Sequence, residues 1–248
     1  MFSIFGSKTV LPDLSFLGAD MHSHLLPGID DGLKELEQTL TFVKELHQLG
    51  YSKLICTPHI MSDLYPNGPE TIFPKLEMVR NALLENNIPV EIEAAAEYMV
   101  DVEMEKFFLF GKQPLTFGGK YILVEMSFLA ASLNIEQVVF DLKMKGFQPV
   151  LAHPERYGYY HHQFNLYERF IDLGCMMQVN LLSLLGYYGK PVKTIAEKLI
   201  KNKMVDFLGT DMHHEGHLAA LKDLAGKKEF YKIAENADFR NKQLLNDT

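Results

Sequence analysis

The chain has 248 residues, 47% hydrophobic and 23% charged, with a formal net charge of −8. That length suffices for one large domain with its own core. The acidic balance argues against a non-specific nucleic-acid binder, which needs a basic surface to neutralise phosphates. The two cysteines, Cys56 and Cys175, are too few for a disulfide framework and read as buried thiols of a reducing, cytoplasmic compartment.

The opening stretch MFSIFGSKTV has too short an apolar run for a signal-peptide core or a membrane span. Residues 1–18 read as an N-terminal arm, docked or frayed, and residues 19–248 as a single domain. Seven apolar runs follow as strand candidates: ADMHSHLL, KLICTPH, VEIEAAAEYM, YILVEMS, QPVLAHPE, CMMQVNLL and VDFLGTDMHH. Helical patterns lie between them at Leu33–Leu49, Glu70–Asn86, Asp101–Phe107, Ile135–Lys145, Asn165–Leu173 and Pro191–Asn202. A last one covers His217–Glu235. Gly50, Gly146 and Gly174 stand between a helical stretch and a strand, where a helix-ending glycine belongs.

Alternating strands and helices imply parallel βα units, in a doubly wound sheet or a barrel. Ligand-type residues close six of the runs: His22 and His24, His59, Glu97, Glu125, His153, and Asp211 with His213. An open sheet gathers its site from a few strands at one switch point. A closed barrel collects all strand ends at one mouth. The expected fold is therefore α/β, a distorted TIM-like barrel.

His22 and His24, at i and i+2, share one face of a strand, and paired imidazoles suit zinc, manganese or iron. Singly, each residue has an ordinary explanation. A lone H-x-H is more often a plain histidine pair. Asp30-Asp31-Gly32 also fits a cap for a helix beginning at Leu33. His59, behind the stiffening Pro58, also fits a hydrogen-bonded core histidine. Glu97 follows three alanines that leave room around a carboxylate. Glu125 ends four apolar residues on a strand that should be buried, where a charge needs a partner or a metal. Arg156, three residues past His153, fits a bidentate phosphate clamp or a salt bridge with Glu155 or Glu168. Asp211 and His213 repeat the i, i+2 spacing. His214 and His217 read as loop residues; His47, His161 and His162 read as solvated.

Five histidines and four acids at one kind of position are too many ligands for one metal. They imply two or three ions with bridging carboxylates. Clustered divalent ions activate water and neutralise an oxyanion, and with an arginine beside them the natural substrate is a phosphate ester.

Jointly, 20-DMHSHLLPGIDDG-32, 56-CTPHI-60, 95-AAEYM-99, 121-YILVEMS-127, 152-AHPERY-157, 178-QVN-180 and 209-GTDMHH-214 resemble the polymerase and histidinol phosphatase (PHP) superfamily. Within it they are similar to the bacterial manganese-dependent tyrosine-protein phosphatases of capsular and extracellular polysaccharide loci. The resemblance spans about residues 19–240. It implies a distorted barrel of seven βα units and three divalent ions, manganese first, iron or zinc as alternatives. Carried over, His22, His24, Glu97 and Asp211 hold one ion; Glu97 bridges to a second on Glu125 and His153; Asp31, His59 and His213 hold the third. Arg156 matches the phosphate-contacting arginine, and Asp211 or His213 assists proton transfer. The implied substrate is the phosphotyrosine-bearing tail of a bacterial tyrosine kinase, attacked by metal-activated water, with neither nucleic acid binding nor membrane insertion. A histidinol-phosphatase-like activity on small molecules is the alternative; a non-catalytic assembly factor and a nuclease fit less well. Tyr157, Tyr159 and Tyr160 are expected either to line the mouth or to form a surface loop.

Overall fold

The computed structural model describes residues 13–102, 104, 113–234 and 237–246. Most of the arm and part of the Asp101–Phe107 helical pattern fall outside them. Within the arm, Leu14 and Leu17 are buried in the core.

Each of the seven apolar runs contains at least one strand. In chain order they are β1 (Ala19–Asp20), β2 (Lys53–Cys56), β3 (His59–Ile60), β4 (Glu91–Ala94), β5 (Glu97–Met99), β6 (Tyr121–Glu125), β7 (Gln148–Ala152), β8 (Met176–Asn180) and β9 (Phe207–Gly209). The second and third runs are each broken into two strands. All pairings are parallel, in a three-stranded sheet β1-β2-β4 and a six-stranded sheet β3-β5-β6-β7-β8-β9. The breaks therefore carry the chain from one sheet to the other. Past the ends of β9 and β1 the backbone joins again: Asp211 N–H donates to His22 O at 2.8 Å, and His24 N–H to Met212 O at 3.0 Å.

The helices are α1 (Leu36–Gln48), α2 (Pro69–Glu85), α3 (Ile135–Met144), α4 (Asn165–Asp172), α5 (Leu181–Leu185), α6 (Lys190–Lys201), α7 (Glu215–Ala225) and α8 (Lys228–Ala234). The expected C-terminal helix is two, parted at Gly226 and Lys227. Gly50, Gly146 and Gly174 adopt φ of +105°, +87° and +84°, the left-handed conformation that ends a helix cheaply only with glycine. Helix α1 starts at Leu36 rather than Leu33, because Leu33 N–H is drawn back to His24 O. Its N-cap is Glu35, whose N–H donates to Gln38 Oε1 at 3.3 Å, so neither Asp30 nor Asp31 caps it.

Period-two alternation divides the core. Along β6, Ile122 and Val124 join the large cluster under the helices. Tyr121 and Leu123 join a smaller inner cluster with Ala19, Met21, Ile55, Ala95, Val150 and Phe207. Glu125 continues the inner face, so the strand that fills the interior also delivers a carboxylate at its end.

Candidate metal centre at the strand ends

The nine expected ligands converge. His24, Asp31, His59 and His213 form one group whose donor atoms lie within 4.8 Å of one another; His22, His24 and Asp211 form a second; His22, Glu97 and His153 a third; His59, Glu97 and Glu125 a fourth. Glu97 lies at the middle, its Oε2 3.2 Å from His22 Nε2, 3.4 Å from His24 Nε2 and 3.1 Å from His59 Nδ1. Its Oε1 is 3.0 Å from His153 Nε2. The groups overlap more than the expected three-way division does: Glu125 sits with His59, at 2.8 Å, and His24 stands with the third-ion set.

Regular strands do not aim the paired ligands. β1 ends at Asp20 and β9 at Gly209, so His22, His24, Asp211 and His213 all lie beyond strand ends. The parallel bridge Ser23↔Met212 holds the two segments side by side instead. Asp211 has φ +50° and His153 φ +34°, a left-handed region that costs a non-glycine residue on the order of 1–3 kcal/mol and collects at functional sites. At His153 this turn breaks the β7 alternation and brings the ring onto Glu97. Two glycines allow close approach. A Cβ on Gly32 would stand 2.2 Å from His24 O, and one on Gly209 2.8 Å from His22 Cβ.

Neighbouring side chains orient several ligands. His24 Nδ1–H donates to Asp30 Oδ2 at 2.8 Å, and His22 Nδ1–H to Gln178 Oε1 at 2.8 Å, which turns both Nε2 atoms inward. Gln178 Nε2 donates to Asn180 Oδ1 at 2.9 Å, and Asn180 Nδ2 to Asp211 Oδ2 at 2.6 Å. Glu155, fully buried, accepts from Asn180 N at 2.9 Å and from Ser183 Oγ at 2.6 Å. Asp20 accepts from Thr210 N and Oγ1 at 3.0 and 2.6 Å. Sequence reading left Asp30 as a possible cap and gave Gln178 and Asn180 no role. The sequence marks them only within the 178-QVN-180 match, because neutral amides suggest no ligand chemistry of their own; their burial on β8 and their hydrogen bonds show what they do.

Burial and proximity set the charges. Burial opposes a charge on His22, but Glu97 and Asp211 outweigh it and raise the ring to about 10. Burial pushes Glu97 and Asp211 up, yet the surrounding histidines hold both well below the usual carboxylate range. Burial, reinforced by the charge of Glu97, lifts Glu125 to about 7, and burial drops His153 to about 4. Four buried atoms, His59 Nδ1, Glu97 Oε2, Glu125 Oε1 and His153 Nδ1, make no aligned hydrogen bond. Three of them crowd together at 2.8 and 3.1 Å without the geometry to bond. Buried polar atoms left without hydrogen bonds are costly, and a cation held among them would offset that cost. The donor set, imidazole with carboxylate, fits a divalent metal.

A cavity of about 260 Å³ opens above the cluster, lined by Asp31, His59, Glu125, Phe128, His153, Arg156, Tyr188, Asp211, His213, His214 and His217. Arg156 Nη1 donates to Asp211 Oδ2 at 2.8 Å, so its partner is neither Glu155 nor Glu168. His217 is no loop residue: it lies in α7, buried, with Nδ1 3.0 Å from Asp211 O. His214 caps the same helix, its ring accepting from Gly216 N. Tyr157 and Tyr160 are buried core residues, and Met126 N–H donates to the Tyr157 hydroxyl at 2.9 Å. None of the three tyrosines lines the cavity; Phe128 and Tyr188 are the aromatic residues there. Cys56 and Cys175 are free and buried. Among the described residues no helix is long and apolar enough to cross a membrane.

An α/β protein of parallel strands with an imidazole–carboxylate cluster able to hold metal is thus defined by its own geometry. The chain belongs to the family described as capsular polysaccharide synthesis, CpsB/CapC, whose model matches residues 18–226. It is 28% identical over 228 residues to the tyrosine-protein phosphatase YwqE of Bacillus subtilis (strain 168), covering 88% of this chain and 89% of that protein. It is 26% identical over 200 residues to the tyrosine-protein phosphatase CpsB of Streptococcus agalactiae, covering 79% of this chain and 82% of CpsB. Its fold matches a chain from the crystal structures of YwqE from Bacillus subtilis and CpsB from Streptococcus pneumoniae, described as unique metal-dependent tyrosine phosphatases. That match has a TM-score of 0.78 and 26% identity and covers 93% of this chain and 95% of the other.

Proposed function

We propose that the chain is a metal-dependent protein-tyrosine phosphatase. The observation that carries this reading is the set of unbonded buried atoms on His59, Glu125 and His153, which line one cavity with Arg156, together with the unbonded Oε2 of Glu97 buried among them. Relatives named tyrosine-protein phosphatases support the choice of ester. We further read the two parallel sheets as one distorted (β/α)7 barrel spanning 19–248, supported by the backbone bonds between residues 22–24 and 211–212. A cytoplasmic setting is supported by the two free, buried thiols.

Three divalent ions, manganese first, are proposed on His22, His24, Asp31, His59, Glu97, Glu125, His153, Asp211 and His213. When bound they supply Lewis acidity and a nucleophilic water at neutral pH. Arg156 offers its free N–H groups to the phosphoryl oxygens and fixes the ester over the cluster. Asp211 stays ionised, because its pKa lies well below the usual range, so it aims Arg156 and donates no proton. His213 is held on its side of the cavity by its 2.8 Å contact with Asp211 O. The leaving phenolate, with a pKa near 10, needs little acid assistance. Phosphotyrosine on the tail of a bacterial tyrosine kinase of polysaccharide synthesis is the proposed substrate; the relatives' names support phosphotyrosine and the family's description supports the polysaccharide setting.

The test is kcat/KM of the manganese-loaded protein on a phosphotyrosine peptide and on histidinol phosphate, with Arg156→Ala and His153→Ala alongside. The peptide is expected to be strongly preferred and the preference lost in both variants. Preference for histidinol phosphate would move the substrate to small molecules, and activity on neither would overturn the reading.

A further inference from the structure

Phe128 stands on the loop after β6, and a large apolar ring there is 47% exposed. It is not loose. Its centroid is 4.5 Å from Arg156 Cζ, 5.5 Å from the His153 ring and 5.8 Å from the buried Tyr157 ring. The Tyr188 ring centroid is 4.4 Å from the same Arg156 Cζ. Two aromatic rings thus pack against the guanidinium, and its polar contacts run through its N–H groups. One of those N–H groups is committed to Asp211. A phosphoryl group taken by the remaining N–H groups sits close to Phe128, which forms part of the wall of the same cavity.

We propose that Phe128 is a specificity residue that selects aryl over alkyl phosphates by packing its uncovered ring surface against the substrate's phenyl ring. This rests on the phosphatase reading for the placement of phosphate at Arg156. An aryl ester presents a flat π surface at the distance where aromatic pairs gain stability beyond the area they bury. An alkyl ester held at the same phosphorus presents none. Tyr188 packs on the guanidinium as well, a second cation–π contact that holds the clamp in place when Phe128 engages substrate.

The experiment measures binding rather than turnover, with phosphonates whose C–P bond a phosphatase does not cleave. Affinities of phenylphosphonate and ethylphosphonate for the manganese-loaded protein are measured by calorimetry in the wild type and in Phe128→Ala, Phe128→Leu and Phe128→Tyr. The wild type should prefer the phenyl compound. Phe128→Ala should lower the phenyl-to-ethyl ratio by about three- to tenfold, the worth of one aromatic pair. Phe128→Leu should fall between, and Phe128→Tyr should keep the preference. A ratio unchanged in Phe128→Ala, even with both affinities weakened, would mean that the ring only steadies Arg156, and the proposal would be overturned. So would a wild type with no aryl preference. Wild-type turnover of a phosphotyrosine peptide is read separately. Tight phenylphosphonate binding without turnover would sink the phosphatase reading and leave this one standing.

Discussion

The two sides of the cluster are built differently. On one, His22, His24 and Asp211 each have an outward atom fixed by a protein partner: Gln178 at 2.8 Å, Asp30 at 2.8 Å and Asn180 at 2.6 Å. On the other, His59, Glu125 and His153 keep unbonded buried atoms, and the Asp31 side chain is 53% exposed. The first side is assembled by the chain's own hydrogen bonds. The second leaves unbonded atoms on residues that line the cavity. A site that must hold metal yet admit an ester needs both: preorganisation for the first task and open positions for the second.

The sharpest way to break this comparison is at its hinge. Glu97→Gln removes the carboxylate that both sides share and should lower phosphatase activity by about a thousandfold or more, with metal content falling in parallel by elemental analysis. Arg156→Ala should cost about a hundred- to a thousandfold in kcat/KM, and Arg156→Lys should not restore it, because an ammonium can neither fork to phosphate nor stack on Phe128 and Tyr188 as a planar group does. Asp30→Asn and Gln178→Ala test the preassembled side; each should weaken manganese affinity by about ten- to a hundredfold by titration calorimetry.

The pH dependence tests the same comparison without a mutation. In the metal-free chain His22, raised to about 10, holds its proton at pH 7, whereas a ligand must be neutral. Metal binding therefore expels that proton, and affinity should rise as pH climbs from 7 toward 10, by about tenfold per unit for each proton released. His153, at about 4, is already neutral at pH 7 and expels none. His22→Ala should reduce the proton release measured across buffers of different ionisation enthalpy, whereas His153→Ala should leave it unchanged.

Much of this was legible in the sequence because strand ends repeat one rule. YILVE shows a charge after an apolar run, and the structure places Glu125 in the cluster. The His22/His24 and Asp211/His213 pairs converge as their spacing implies, though loops and left-handed turns aim them in place of strands. What escaped depends on packing between distant segments. Phe128 and Tyr188 enclose Arg156 from loops far apart in the chain. Gln178 and Asn180 are neutral, and α5 is a five-residue helix too short for a periodic pattern. The tyrosines at 157 and 160 mislead for the opposite reason, since an aromatic cluster looks alike in sequence whether it is core or rim.

The central claim is that these side chains hold ions on which hydrolysis depends. Its most direct test is hydrolysis of a phosphotyrosine peptide by the protein before chelation, after dialysis against a strong chelator, and after manganese is returned. The account predicts that activity is abolished by metal removal and restored by manganese, with the fold unchanged by circular dichroism. Activity that persists in the metal-free protein would contradict it.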